Sequence, residues 1–187
     1  MNIAIFVSGS GTNCENLIKY FKDSEVVNIA LVVSNKPDAY ALVRAERLGV
    51  PTAVTPKAEL NDPEVMMPLL RKYDIGFIVL AGWLPLIPNF LIDAYPHKII
   101  NIHPALLPSY GGKGMYGHHV HEAVVANHER ESGITIHIVD NHYDRGTTLF
   151  QARCEVTPED TPDTLAAKIH LLEKEHFPRV IDETIHR

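Results

Sequence analysis

The feature that most constrains this chain is a regular alternation of short, uninterrupted apolar runs with longer stretches of helical spacing. Asn2–Val7, Val26–Val33, Ala53-Val54, Ile75–Ala81, Lys98–His103 and Ile134–Asp140 read as strands, and Thr147–Val156 as a strand pairing at an edge. Asn13–Phe21, Ala39–Leu48, Asp62–Lys72 and Asp163–His186 read as helices; the second is closed by Gly49 with Pro51 beyond, and the last is expected to be interrupted at Pro178. A run such as Ile3-Ala4-Ile5-Phe6-Val7, with no polar side, belongs to a strand covered on both faces. The alternation therefore predicts an α/β fold, a doubly wound, mostly parallel sheet with helices on both faces and a Rossmann-like layout. At 187 residues it is expected to be a single domain spanning 1–187. Leu107–Gly117, rich in Gly, Pro and Tyr, reads as a loop of the kind that covers a site.

Composition removes several classes of function. Lys plus Arg number 17 against 23 Asp plus Glu, and the net charge of −6 argues against a general nucleic-acid binder. Two cysteines, Cys14 and Cys154, cannot make a disulfide framework, so a reducing, cytoplasmic setting is expected. Nothing approaches the apolar length of a membrane span. The opening Met1–Val7 runs straight into a glycine loop without the basic lead-in of a signal peptide, so no export leader is expected.

Three segments carry candidate chemistry. Ser8-Gly9-Ser10-Gly11-Thr12-Asn13 follows the first strand and opens the first helix, where glycines admit a ligand and helix N–H groups favour an anion. The dinucleotide fingerprint would place a glycine at Asn13 and an acid near Val33-Ser34-Asn35; neither is present, so a phosphate fits better than NAD. A plain strand-to-helix turn is the competing explanation. In Asn101-Ile102-His103-Pro104-Ala105-Leu106-Leu107-Pro108, Asn101 and His103 leave one face of a strand at its carboxyl end. An amide donor beside an imidazole suits a developing oxyanion, although such a pair also serves simply to cap backbone groups. Asp140-Asn141-His142-Tyr143-Asp144-Arg145-Gly146 follows another strand. A calcium loop would want Gly at Arg145 and an acid at Gln151, so metal binding is rejected. What remains is an Asp that orients a distant His, or a solvated turn.

Other chemical residues are less specific. There are 11 histidines; His118, His119 and His121 cluster at the start of an expected helix without a zinc-like ligand spacing. Gly112-Lys113-Gly114 is not a Walker loop. Cys14, at a helix start, is expected to pack on the sheet rather than act as a thiolate.

Taken together and in this order, the three segments resemble the phosphoribosylglycinamide formyltransferases, folate-dependent enzymes of purine synthesis, from Met1 to about Ile185. Pro104 after His103 and the lack of a second domain favour this group over the related tRNA formyltransferases and formyltetrahydrofolate deformylases. The resemblance implies a formyltransferase-type fold and a single catalytic domain. Its substrates would be 5'-phosphoribosylglycinamide and the co-substrate 10-formyltetrahydrofolate. It implies no metal, no nucleic-acid or membrane partner, and a monomer or weak homodimer.

Residue by residue, it implies a catalytic trio of Asn101, His103 and Asp144 and a substrate-phosphate loop of Gly11, Thr12 and Asn13. Glu173 would bind the ribose hydroxyls. Trp83, Leu84, Pro85, Leu86 and Ile87, with Asn101, Asp140 and Asn141, would hold the folate. Pro85 stands where many members have Arg, and Gly111–Gly117 is longer than in shorter members. The implied mechanism has Asn101 and a protonated His103 stabilising the tetrahedral oxyanion. Asp144 would raise the His103 pKa above its usual value and help move a proton to the leaving nitrogen. The alternatives are a deformylase, a formyltransferase acting on an amino-sugar nucleotide, or a non-catalytic nucleotide-binding module.

Overall fold

The computed structural model describes residues 1–186. The chain forms two compact units, Met1–Ile100 and Asn101–Arg187. The first contains β1 (Asn2–Val7), α1 (Thr12–Phe21), β2 (Asn28–Ser34), α2 (Tyr40–Arg47), β3 (Thr52–Val54), α3 (Lys57–Leu60), α4 (Pro63–Lys72), β4 (Ile75–Leu80) and α5 (Asn89–Ala94). Strand β5 (Ile99–His103) carries the division between the units. The second contains α6 (His118–Ala126), β6 (Glu131–Ile138), β7 (Thr148–Glu155) and α7 (Pro162–Ile185).

In the first unit the strand order is β3-β2-β1-β4, and β1 pairs in parallel with both β2 and β4. Ile3, Ala4, Ile5, Phe6 and Val7 are all fully buried, which is why that run needs no polar side. The chain winds outward from β1 to β3 and returns to β4 on the other side of β1. That reversal makes the sheet doubly wound and puts a topological switch point at the carboxyl ends of β1 and β4. Strand β2 starts two residues later than expected: the Ser24 hydroxyl accepts from the Val26 and Val27 N–H groups, holding them in a turn. Helix α4 starts one residue later because Asp62 is its N-cap, accepting from Glu64 N at 2.9 Å, with Pro63 at the first helical position. Helices α3 and α5, of 4 and 6 residues, are too short to show a helical period and were not expected.

In the second unit β6 and β7 are antiparallel, so the sheet is mostly rather than wholly parallel. Strand β6 begins three residues earlier and ends two earlier than Ile134–Asp140, because its pairing runs from Glu131 opposite Glu155. Gly133 permits that pairing, since a Cβ there would lie 1.9 Å from the Ala152 carbonyl oxygen. Helix α7 opens with a capping box between Thr161 and Thr164 and runs unbroken through Pro178. An interior proline costs about 3 kcal/mol. The fully buried Leu165, Ile169, Phe177 and Ile181 outweigh that at about 1.5–3 kcal/mol each. The expected interruption is therefore absent. Among the described residues no helix is long and apolar enough to cross a membrane.

Candidate active site

The first unit supplies the glycine loop. Gly11 caps α1 in the left-handed region at φ 79°, and a Cβ there would meet Ala41 Cβ at 2.4 Å. It is therefore required both by its backbone and by its approach to α2. The first helical bond runs from Glu15 N to the Gly11 carbonyl, so the N–H groups of Thr12, Asn13 and Cys14 open the helix ahead of it. Arg44 stiffens the loop, its Nε donating to the Ser10 carbonyl at 2.8 Å while its guanidinium pairs with Glu15. Ser8 ties the loop to the segment after β4: its hydroxyl donates to Asn35 Oδ1 at 2.6 Å and accepts from Leu84 N at 3.0 Å. In that segment Trp83 packs edge-on against Phe6, centroids 5.0 Å apart, and its buried indole N–H has no hydrogen-bond partner among the described residues. Ile87 is buried, Leu84 and Pro85 are half-buried, and Leu86 is exposed. Burial, then the Glu15 charge, pushes the Cys14 thiol up to about 12, against a slight opposite pull from Arg44; this removes it as a thiolate.

The second unit gathers Asn101, His103 and Asp144 into one cluster. Strand β5 aims Asn101 and His103 to one side, as their two-residue spacing requires. Asp144 adopts φ 53° in the loop after β6, which turns its carboxylate inward. Its Oδ2 lies 3.6 Å from His103 Nδ1 and accepts from Gly112 N at 3.0 Å. Its Oδ1 accepts a long bond from Asn101 Nδ2 at 3.5 Å. His103 Nε2–H donates to the Tyr110 carbonyl at 2.7 Å, so Nδ1 is the nitrogen left facing the carboxylate.

A fourth member, His137 of β6, was not anticipated. Its Nδ1–H donates to the Ile138 carbonyl at 3.0 Å, and its Nε2 accepts from Asn101 Nδ2 at 3.2 Å. Thr135, two residues earlier and fully buried, donates to the Ala105 carbonyl at 2.7 Å and accepts from Leu107 N at 3.0 Å. Gln151 of β7 donates to the Thr135 hydroxyl and to the Leu107 carbonyl, locking the segment after His103. The available signal was Thr135 and His137 alternating with isoleucines in an otherwise buried strand.

Electrostatics correct one expectation. Burial holds the His103 pKa below its ordinary value; Asp144 and the Tyr110 carbonyl pull upward, His137 pushes further down, and burial prevails. His103 is thus held neutral near pH 7, not charged as the resemblance implied. Burial acts to raise the Asp144 carboxyl, but His137, His103 and the Gly112 N–H together hold it below the usual carboxylate range, so it stays ionised.

Glu173 is a buried carboxylate on α7. Asp140 accepts from His142 N at 2.8 Å in a local turn, and Asn141 is exposed beside it. His118 and His119 are exposed and sit near Glu122, while Lys113 is an exposed loop residue. His121 is buried, and its Nδ1 has no hydrogen-bond partner among the described residues. Burial, then His170, His118 and His103, push its pKa down to about 4. The folded state therefore resists a proton that the unfolded chain accepts near 6.5, and stability is lost as pH falls from there toward 4. His121→Phe should shallow that decline by at most about 1.4 kcal/mol per pH unit in urea unfolding. Equal slopes in the two proteins would remove His121 as the cause.

Residues 1–181 match the formyl transferase family model. This chain belongs to the formyl transferase family. Among its relatives, the phosphoribosylglycinamide formyltransferase of Bacillus subtilis is 35% identical, with 97% of this chain and 93% of that protein covered. The chloroplastic phosphoribosylglycinamide formyltransferase of Arabidopsis thaliana is 43% identical over 93% of this chain, which spans only 61% of that protein's length. The solved structure of phosphoribosylglycinamide formyltransferase from Bacillus halodurans is 31% identical, with a TM-score of 0.89 over 99% of this chain and 95% of that one. The α/β, mostly parallel sheet is thus the fold of this formyl transferase and of its solved relatives.

Proposed function

We propose that this formyl transferase moves the formyl group of 10-formyltetrahydrofolate to the amine of 5'-phosphoribosylglycinamide, releasing tetrahydrofolate, in purine synthesis. The observation that carries the reading is the close grouping of Asn101, His103 and Asp144 in a chain whose relatives bear that enzyme's name. A protein that only held a nucleotide would have no use for a neutral imidazole backed by an ionised carboxylate.

In this reading the amine attacks the formyl carbon and an oxyanion develops. Asn101 Nδ2 exchanges its long 3.5 Å bond to Asp144 for one to that oxygen. His103, its Nε2–H committed to Tyr110, takes up at Nδ1 the proton that the amine sheds, and Asp144 stabilises the imidazolium. The imidazolium supports the oxyanion and then returns the proton to the leaving folate nitrogen. Gly11, Thr12 and Asn13 take the substrate phosphate and Glu173 the ribose hydroxyls. Trp83, Leu84, Pro85, Leu86 and Ile87, with Asn101, Asp140 and Asn141, take the folate. Residues 1–187 act as one catalytic domain, a reading supported by a family match that runs through both units. A cytoplasmic site of action is supported by the two free cysteines.

Mixing protein, 10-formyltetrahydrofolate and 5'-phosphoribosylglycinamide should release tetrahydrofolate only when the amine is present. Release without the amine would identify a deformylase instead. Turnover with an amino-sugar nucleotide but not with the glycinamide would replace the acceptor.

A further inference from the structure

His103 leans on a residue outside the expected trio. The carbonyl that receives its Nε2–H belongs to Tyr110, whose φ of 55° lies in the left-handed region that side-chain-bearing residues seldom occupy. The chain is tightly threaded just beyond: a Cβ at Gly111 would lie 2.5 Å from Leu107 Cδ2 and 3.3 Å from Asp144 Cβ. The phenol of Tyr110 anchors the unusual conformation. It donates to Glu129 Oε1 at 2.7 Å and accepts from Asn127 Nδ2 at 2.9 Å. Asn127 caps the C-terminal end of α6, and Glu129 N donates to the Val124 carbonyl within that helix, so the helix end sets both anchors.

We propose that Tyr110, clamped through its hydroxyl by Asn127 and Glu129, is a positioning residue that fixes which nitrogen of His103 carries the resting proton and which faces Asp144. The inference rests on the role given to His103 in formyl transfer. With the carbonyl in place, the neutral ring keeps its proton on Nε2 and Nδ1 is open to accept another. With the carbonyl displaced, the resting proton is free to move to Nδ1 beside Asp144, and the ring then cannot take the amine's proton there. The other titratable groups near His103 are Asp144 of the loop after β6, His137 of β6 and His121 of α6, and the clamp variants alter none of them.

Tyr110→Phe, Glu129→Ala and Glu129→Gln are compared with the native protein by steady-state kinetics and by NMR titration of the His103 ring, with thermal unfolding as a control for folding. Tyr110→Phe should lose roughly ten-fold in kcat with KM for both substrates nearly unchanged, because geometry rather than substrate contact is lost. Its His103 pKa should fall further, since the carbonyl favours the charged ring. Glu129→Ala should behave likewise, and Glu129→Gln, which keeps an acceptor for the phenol, should track the native protein. A native kcat and His103 pKa in Tyr110→Phe would overturn the proposal, as would a loss expressed only in KM. If the native protein itself forms no tetrahydrofolate, the activity reading fails, and the His103 titration alone still decides the clamp.

Discussion

His103→Ala should keep its fold and its affinity for both substrates while kcat falls by roughly 10³-fold, within the usual contribution of one acid–base group. The substitution removes the only member of the trio able to accept and return a proton near neutral pH, since Asp144 stays ionised and Asn101 does not titrate. In the proposed mechanism it would also remove the cation that forms beside the oxyanion. Some unfolding cost is expected, because His103 is buried and bonded to Tyr110, so circular dichroism and a thermal midpoint must accompany the kinetics. Single-turnover measurement separates chemistry from product release. A folded variant turning over at the native rate would remove His103 from the chemistry.

Asp144→Asn should lower kcat on the order of 10²-fold or more, since an amide cannot stabilise the imidazolium that forms in the transition state. The pH dependence sharpens the expectation. In the native protein His103 must be neutral to accept a proton, so kcat/KM should rise with pH through a pKa below the ordinary 6.5 and then level. Asp144 pulls that pKa upward, so its replacement should move the rise to still lower pH while the plateau drops. Ionisation of the substrate amine is common to both proteins and cancels in the comparison. A plateau that drops without any movement of the acidic limb would leave Asp144 acting on something other than His103. A limb that moves with full activity retained would keep the pairing and remove its catalytic meaning.

The parts of this molecule readable in advance are those whose signal is local. Ile3–Val7 announces a doubly covered strand because every side chain in it is apolar, and Gly11 marks a sharp strand-to-helix turn. Asn101 and His103 share a face by period alone, and Asp144 could be proposed as their partner on resemblance. What was not readable depends on neighbours distant in the chain. The charge state of His103 follows from how deeply the ring is buried, and burial reverses the direction that Asp144 alone would impose. Tyr110 matters through a carbonyl and a backbone angle, which no residue type reveals. His137 reaches Asn101 only once β5 and β6 are in place. Pro178 reads as a helix breaker until the buried face around Phe177 and Ile181 is known.

If the cluster of Asn101, His103 and Asp144 transfers a formyl carbon from folate to a glycinamide nitrogen, as proposed, that carbon can be followed from donor to acceptor. With a 13C-labelled formyl group on 10-formyltetrahydrofolate and 15N on the amine of 5'-phosphoribosylglycinamide, NMR should show a new 13C–15N coupling growing at the rate tetrahydrofolate appears. His103→Ala should slow the growth of the coupling by the same roughly 10³-fold while both substrates still bind. Label appearing as free formate, or coupling that persists at the native rate in His103→Ala, would contradict the account.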